Sequence, residues 1–183
     1  MGWLIFLALV IMLAAWGIGT YNAIIWKKNS TDNAWAQIDV QLKRRHDVIP
    51  NLVETAKGYM GHERETLEKV IQARTQATQA TAVKEKESAE NFLTSTLRSL
   101  FAVVEQYPDL KANQNMLRLQ EELTSTENRI AFARQYYNDE VMRFNTYIEQ
   151  VPAVFLAQMF GFGKKDLFQV ESLEEKKAPQ VKF

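Results

Sequence analysis

The chain has 183 residues, with 22 basic and 22 acidic side chains and no cysteine. That length holds one domain of ordinary size plus an appendage, and a net charge of zero removes the electrostatic case for a nucleic-acid partner, which wants a basic excess. Without cysteine there are no disulfides, thiolate metal sites or cysteine nucleophiles, and the composition suits a reducing or an oxidising compartment equally.

From Trp3 to Trp26, WLIFLALVIMLAAWGIGTYNAIIW, no charged side chain occurs over 24 residues. As a helix this stretch is roughly 36 Å long, enough to cross a hydrocarbon core of about 30 Å. A cleaved signal peptide would want a basic amino end, a shorter apolar run and a small-residue cleavage box, whereas here only Met1 and Gly2 precede the run. Residues 1–28 are therefore expected to be an uncleaved membrane anchor, with Trp3, Trp16 and Trp26 in or beside the span and Lys27 and Lys28 just past it. Tryptophans at both ends suit the interfacial belts, and the two lysines place the amino terminus outside and the body in the cytoplasm. Gly17 and Gly19 would let a second helix approach closely, although glycine is common in membrane helices.

Asn29 to Asp32 (NSTD) offers capping side chains before an apolar periodicity begins. Trp35, Ile38, Leu42, Arg45, Ile49, Leu52, Ala56 and Tyr59 then follow steps of three and four, with Arg45 in a position that should be apolar. Gly58 and Gly61 weaken the helix, and the stripe restarts with Leu67, Val70, Arg74 and Ala77, again with an arginine in the seam. Residues 75–91, small, polar and charged, read as a frayed helix end or a turn. Leu93, Leu97, Leu100, Val104 and Tyr107 resume the pattern until Pro108, where YPDLK reads as a turn. From about Asn113 the longest pattern runs through Met116, Leu119, Leu123, Thr126, Ile130, Ala133, Tyr137, Phe144 and Ile148, ending before Pro152. No stretch sustains period-two alternation, so no sheet is expected.

The predicted fold is thus all-α: a transmembrane helix, then an elongated antiparallel bundle of three to four long helices over residues 29–150. Beside the last seam runs a polar ladder, Glu127, Arg134, Asn138 and Asn145, which is either an ordinary half-exposed flank or part of a buried network. In the second case Arg45 and Arg74 face inward and pair with Glu105 or Glu127 and with the asparagines, because an unpaired buried arginine is costly. Residues 151–183 begin with PAVFLAQMFGFG and end in the polar EEKKAPQVKF. Phe155, Leu156, Met159, Phe160 and Phe162 would cover the end of the bundle, dock a neighbouring subunit or lie in the membrane interface. The polar tail is expected to be flexible, with VKF available to pack on another chain.

DNAWAQIDVQLKRRHDVIPNLVETAKGY, LEKVIQAR, VVEQYPDLKAN, LQEELTSTENRIAFARQYYNDEV, RFNTYIEQVP, FGFGKKDLF and PQVKF, in this order, resemble the bacterial LemA family across nearly the whole chain. The resemblance implies a single-span protein of the bacterial inner membrane with a soluble antiparallel helical domain, and it carries no defined biochemical activity. It also makes Arg45, Asp47, Pro50 and Asn51 members of a hallmark segment, RRHDVIPNLV. Pro50 removes the amide that would bond to the His46 carbonyl, at a typical cost of about 3 kcal/mol inside a helix. A bend there would free that carbonyl for Arg44, Arg45 or Asn51.

The only histidines, His46 and His62, are sixteen residues apart, which rules out the paired-histidine zinc helix and the Glu-x-x-His repeat of di-iron bundles. There is no phosphate loop or nucleophile elbow, and Glu105 and Glu127 read better as ion-pair partners than as a catalytic pair. The expectation is a non-enzymatic scaffold or adaptor with no cofactor and no metal. Its expected partners are the lipid bilayer, further copies of itself and another membrane protein, with no nucleic acid. A regulator or sensor subunit is the alternative. With about two residues outside the span, its signal would have to come from the membrane or a partner. An enzyme with an unrecognised site is the remote third reading.

Overall fold

The computed structural model describes residues 1–168. The tail EEKKAPQVKF lies outside the described residues. Within them all regular structure is helical: α1 (Gly2–Lys57), α2 (Arg64–Gln79), α3 (Val83–Val104), α4 (Pro108–Lys111), α5 (Gln114–Glu149) and α6 (Ala153–Met159). Packing gathers them into two compact units, one formed by Met1–Gln41 with Arg129–Leu167 and the other built on Leu42–Asn128. The expected divisions, 1–28, 29–150 and 151–183, are cuts along the chain, whereas these units pair segments distant in sequence.

In the unit built on Leu42–Asn128, the end of α1, all of α2 and α3 and the start of α5 share one core. Ile49, Leu52, Ala56, Leu67, Val70, Leu93, Leu97, Leu100, Met116 and Leu123 contribute to it. Short connections carry each helix back along the one before it. The pairing of α1 with α5 is antiparallel, since Tyr59 meets Asn113 while Arg45, further back on α1, meets Glu127, further on along α5. Asn113 starts α5 as a cap, its Oδ1 accepting from the amides of Asn115 and Met116 at 2.9 and 3.2 Å.

Three local expectations are corrected. The NSTD segment does not cap a new helix, because α1 runs through it without a break. The Thr31 hydroxyl donates back to the Lys28 carbonyl at 2.6 Å, so a side chain able to cap is used within the helix. Residues 83–91 are the first turns of α3 and bury Glu87 and Glu90, so the polar composition there marks a charged core position. At the end of the first stripe, Met60 is buried and Tyr59 is exposed, because the helix ends at Lys57 and the chain turns before either residue.

In the other unit, α1 up to Gln41 packs along the rest of α5, and α6 closes the end. The rings of Trp35 and Tyr137 lie 5.2 Å apart. Ile24 is buried with Phe144, Ile148, Ala153 and Ala157. From Gly2 to Gly19 the helix buries no side chain, and Thr20 is the first residue that does. This charge-free beginning makes α1 long and apolar enough to cross a membrane.

Candidate functional site

The two arginines expected in the seams, Arg45 buried and Arg74 half-buried beside the buried Ala73, lead to a polar network inside the Leu42–Asn128 unit. Arg45 is 2% exposed. Its Nη2 donates to Thr94 Oγ1 at 2.7 Å, and its Nη1 lies 3.0 Å from Glu127 Oε2 and 3.6 Å from Glu90 Oε2. The Nη1 contacts are ion pairs without a directed hydrogen bond. Glu90 is fully buried, and its other oxygen lies 2.7 Å from His46 Nε2. Two acids therefore flank one guanidinium, and the imidazole holds the inner one.

Arg74 completes the arrangement from α2. Its Nε donates to the His46 carbonyl at 2.8 Å, the oxygen to which residue 50 would have donated had it not been proline. The donor to this carbonyl is Arg74 rather than Arg44, Arg45 or Asn51. Asp47, Pro50 and Asn51 themselves face outward. Glu105 is not in the network, because it lies on the surface in an ion pair with Lys111. Arg45, Arg74 and Glu127 are thus brought together, and Glu90, His46 and Thr94 join them unforeseen. Extending the Leu93, Leu97, Leu100 stripe back by steps of three reaches Glu90 and Glu87, so the periodicity held a signal for both acids.

The remaining ladder residues belong to the other unit. Arg134 is buried and Asn138 half-buried, each with interaction partners. Asn145 clamps the segment after α6, its Nδ2 donating to the Lys165 carbonyl and its Oδ1 accepting from the Lys165 amide, both at 2.9 Å. The Lys165 ammonium in turn contacts Thr31 and Asp32 on α1, and Lys164 pairs with Glu149. Tyr137 donates to the Asp166 carbonyl at 3.0 Å. Burial pushes its phenol pKa up, and the nearby Asp166 and Asp32 carboxylates add to that.

At the anchor, Trp3, Trp16 and Trp26 are exposed, as is Lys28, while the Lys27 ammonium lies 5.1 Å from the centre of the Tyr147 ring. In the C-terminal segment Leu156 and Phe162 pack on the Ile24 cluster, whereas Phe155, Met159 and Phe160 are exposed. Further along α1 and α5, Val40, Phe132 and Tyr136 line an open groove together with Ala36, Gln37, Gln41, Arg129 and Ala133. Among the described residues no group of three or more His, Asp or Glu side chains is placed to hold a metal ion.

The sequence profile of the LemA family matches residues 34–183. The chain belongs to the LemA family. Protein LemA of Metamycoplasma hominis is 29% identical over 161 residues, which cover 86% of this chain and 72% of the relative. Magnetosome protein MamQ 2 of Paramagnetospirillum magneticum is 24% identical over 175 residues, and magnetosome protein MamQ of Magnetospirillum gryphiswaldense 22% over 174. Each of those two alignments covers 81% of this LemA-family chain and 64% of the relative, so the chain spans just under two thirds of the magnetosome proteins it matches. The apolar start of α1 and these relatives together point to a single-pass membrane protein.

Proposed function

We propose that this LemA-family protein is a non-enzymatic, membrane-anchored helical scaffold that associates with copies of itself and organises the bacterial inner membrane around it, with its body in the cytoplasm. The observation that carries this reading is the groove lined by Val40, Phe132 and Tyr136. Phe132 is 73% exposed. Val40 lies fourteen residues beyond Trp26 on one continuous helix, about 21 Å past the charge-free run, so this apolar surface faces water unless a protein covers it. A second copy is the occupant assigned to it, since every copy carries the same face at the same height along α1. Gly17 and Gly19 support close approach of anchors as well, because a Cβ at either would meet nothing within 4 Å.

The charge network supports a structural role. Arg45 pairs with Glu90 and Glu127, and His46 with Glu90, and such a network selects which helix faces meet more than it adds net stability. The family and its MamQ relatives support membrane association without a catalytic step.

The test is the mass of the full-length protein in mild detergent by light scattering, beside Phe132→Glu and a form lacking residues 1–29. A discrete assembly that becomes smaller with Phe132→Glu is expected. A monomeric parent protein would sink self-association, leaving an adaptor or sensor subunit that binds a different membrane protein through the same groove.

A further inference from the structure

We propose that α6 and the turn after it form a second membrane-contacting element, a short apolar foot lying in the headgroup and acyl boundary where α1 leaves the bilayer. The inference rests on the reading of α1 as the membrane span. It begins with lengths along that helix. From Trp3 to Thr20, the first buried side chain, α1 rises about 26 Å, which is less than the roughly 30 Å of a hydrocarbon core. The far boundary therefore falls three or so residues later, near Ala23, and the charge-free run ends at Trp26.

That is the level at which α6 is held. Ala153 and Ala157, one turn apart, are buried against Ile24, and the Phe160 and Phe162 rings lie 4.9 and 6.0 Å from the ring of Tyr21. The small alanines let the helix lie close to α1. On the opposite face of α6 stand Phe155 and Met159, 64% and 73% exposed, with Phe160 beside them at 55%. A surface fastened to Tyr21 and Ile24 shares their depth, and apolar side chains exposed at that depth meet lipid.

The chain is shaped to hold this position. Gly161 adopts φ +71°, and the amides of Phe162 and Gly161 donate to the carbonyls of Ala157 and Gln158, the paired bonds that end a helix with a left-handed residue. The reversal returns Phe162 to the cluster, and the Asn145 clamp on Lys165 fixes the segment that follows. The two lysines after the foot are held by Glu149 and by Asp32, so they are not its attraction to lipid. The foot is read as apolar insertion with little dependence on anionic headgroups.

The absence of cysteine makes the test direct. Single cysteines replace Phe155, Met159, Phe6 (span reference) or Asn33 (aqueous reference) in the full chain. Each carries a nitroxide, and the protein is placed in phosphatidylcholine nanodiscs. Paramagnetic resonance then compares collision with oxygen, which partitions into lipid, against collision with a water-soluble nickel chelate. The expected oxygen-to-nickel ratio at positions 155 and 159 lies several-fold above that at 33 and below that at 6. A ratio equal to that at 33, with position 6 in lipid, would place the foot in water and overturn the proposal. Shielding from both reagents would assign the face to a neighbouring subunit and overturn it equally. Position 6 reading as water would instead remove the span itself, and the foot with it.

Discussion

Pro50 cannot donate to the His46 carbonyl, and that oxygen accepts from Arg74 Nε instead. A backbone bond has been exchanged for one from a neighbouring helix, which ties α1 to α2 at a defined height. Replacing Arg74 by Met keeps the stem and removes the donor, leaving a carbonyl with no partner at a cost of about 1–3 kcal/mol. In a Pro50→Ala background the restored amide takes that role, so the same replacement is expected to cost less than half as much. Urea unfolding of the four forms measures the coupling. Tyr137 makes a second residue-level prediction. Its raised pKa means the fold favours the neutral phenol. The contribution is fully present below the ordinary tyrosine value of about 10 and is lost as pH rises from there through the folded value. Thermal midpoints taken from pH 8 to 11 should fall more steeply above pH 10 for the parent protein than for Tyr137→Phe. Equal slopes would remove the linkage.

At the scale of elements, α3 and α6 show how polar composition and short length mislead. α3 starts at Val83 with lysines and glutamates, yet Glu87 and Glu90 are buried on the face that continues through Leu93 and Leu97. Glu90 needs the cation and the imidazole that α1 brings, so the helix is specified jointly by its own periodicity and by Arg45 and His46. α6 has only seven residues and is held by its docking face and its end. Gly161 at φ +71° is the one described non-terminal turn residue in a left-handed conformation, and nothing lies within 4 Å of an added Cβ. Gly161→Ala therefore meets conformational strain alone, about 1 kcal/mol. Hydrogen exchange at the Phe162 amide is expected to rise about five-fold, and unchanged protection would show that the reversal does not depend on glycine.

At the scale of the whole molecule, the charges balance to zero and the described residues fall into two packed units. The core that holds Leu52, Leu97 and Leu123 includes no residue before Val48. The cluster around Phe144, Ile148 and Ala157 includes Ile24. Removing residues 1–29 therefore deletes part of one cluster and none of the other. Hydrogen exchange of that shortened protein is expected to retain protection at Leu52, Leu97 and Leu123 and to lose it at Ile148 and Ala157. Loss at both sets would mean that the Leu42–Asn128 core depends on the anchor segment.

Much of this was legible along the chain, because hydropathy and helical period are properties of neighbours in sequence. The run Trp3–Trp26 marks a helix long enough to span a bilayer, and the three-and-four spacing from Ile38 to Ala56 and from Met116 to Ile148 marks the buried faces of α1 and α5. Arg45 was recognisable as a seam residue, since charge in an apolar period stands out, whereas Arg74, expected in the seam of α2, is half-buried and Ala73 takes the buried position. Their partners were not recognisable, because pairing depends on which helices meet and at what height. Glu127 was among the expected acids, Glu105 went to the surface, and Glu90 emerged from a stretch whose composition resembled a turn. The NSTD segment carried capping chemistry that the continuous helix turned inward. Local sequence thus determined the long helices and the apolar start of α1, though not the first turns of α3 or the short α4. Only tertiary packing decided which buried charges pair with one another and that α6 lies against Tyr21 and Ile24 of α1, because both depend on contacts between residues far apart in the chain.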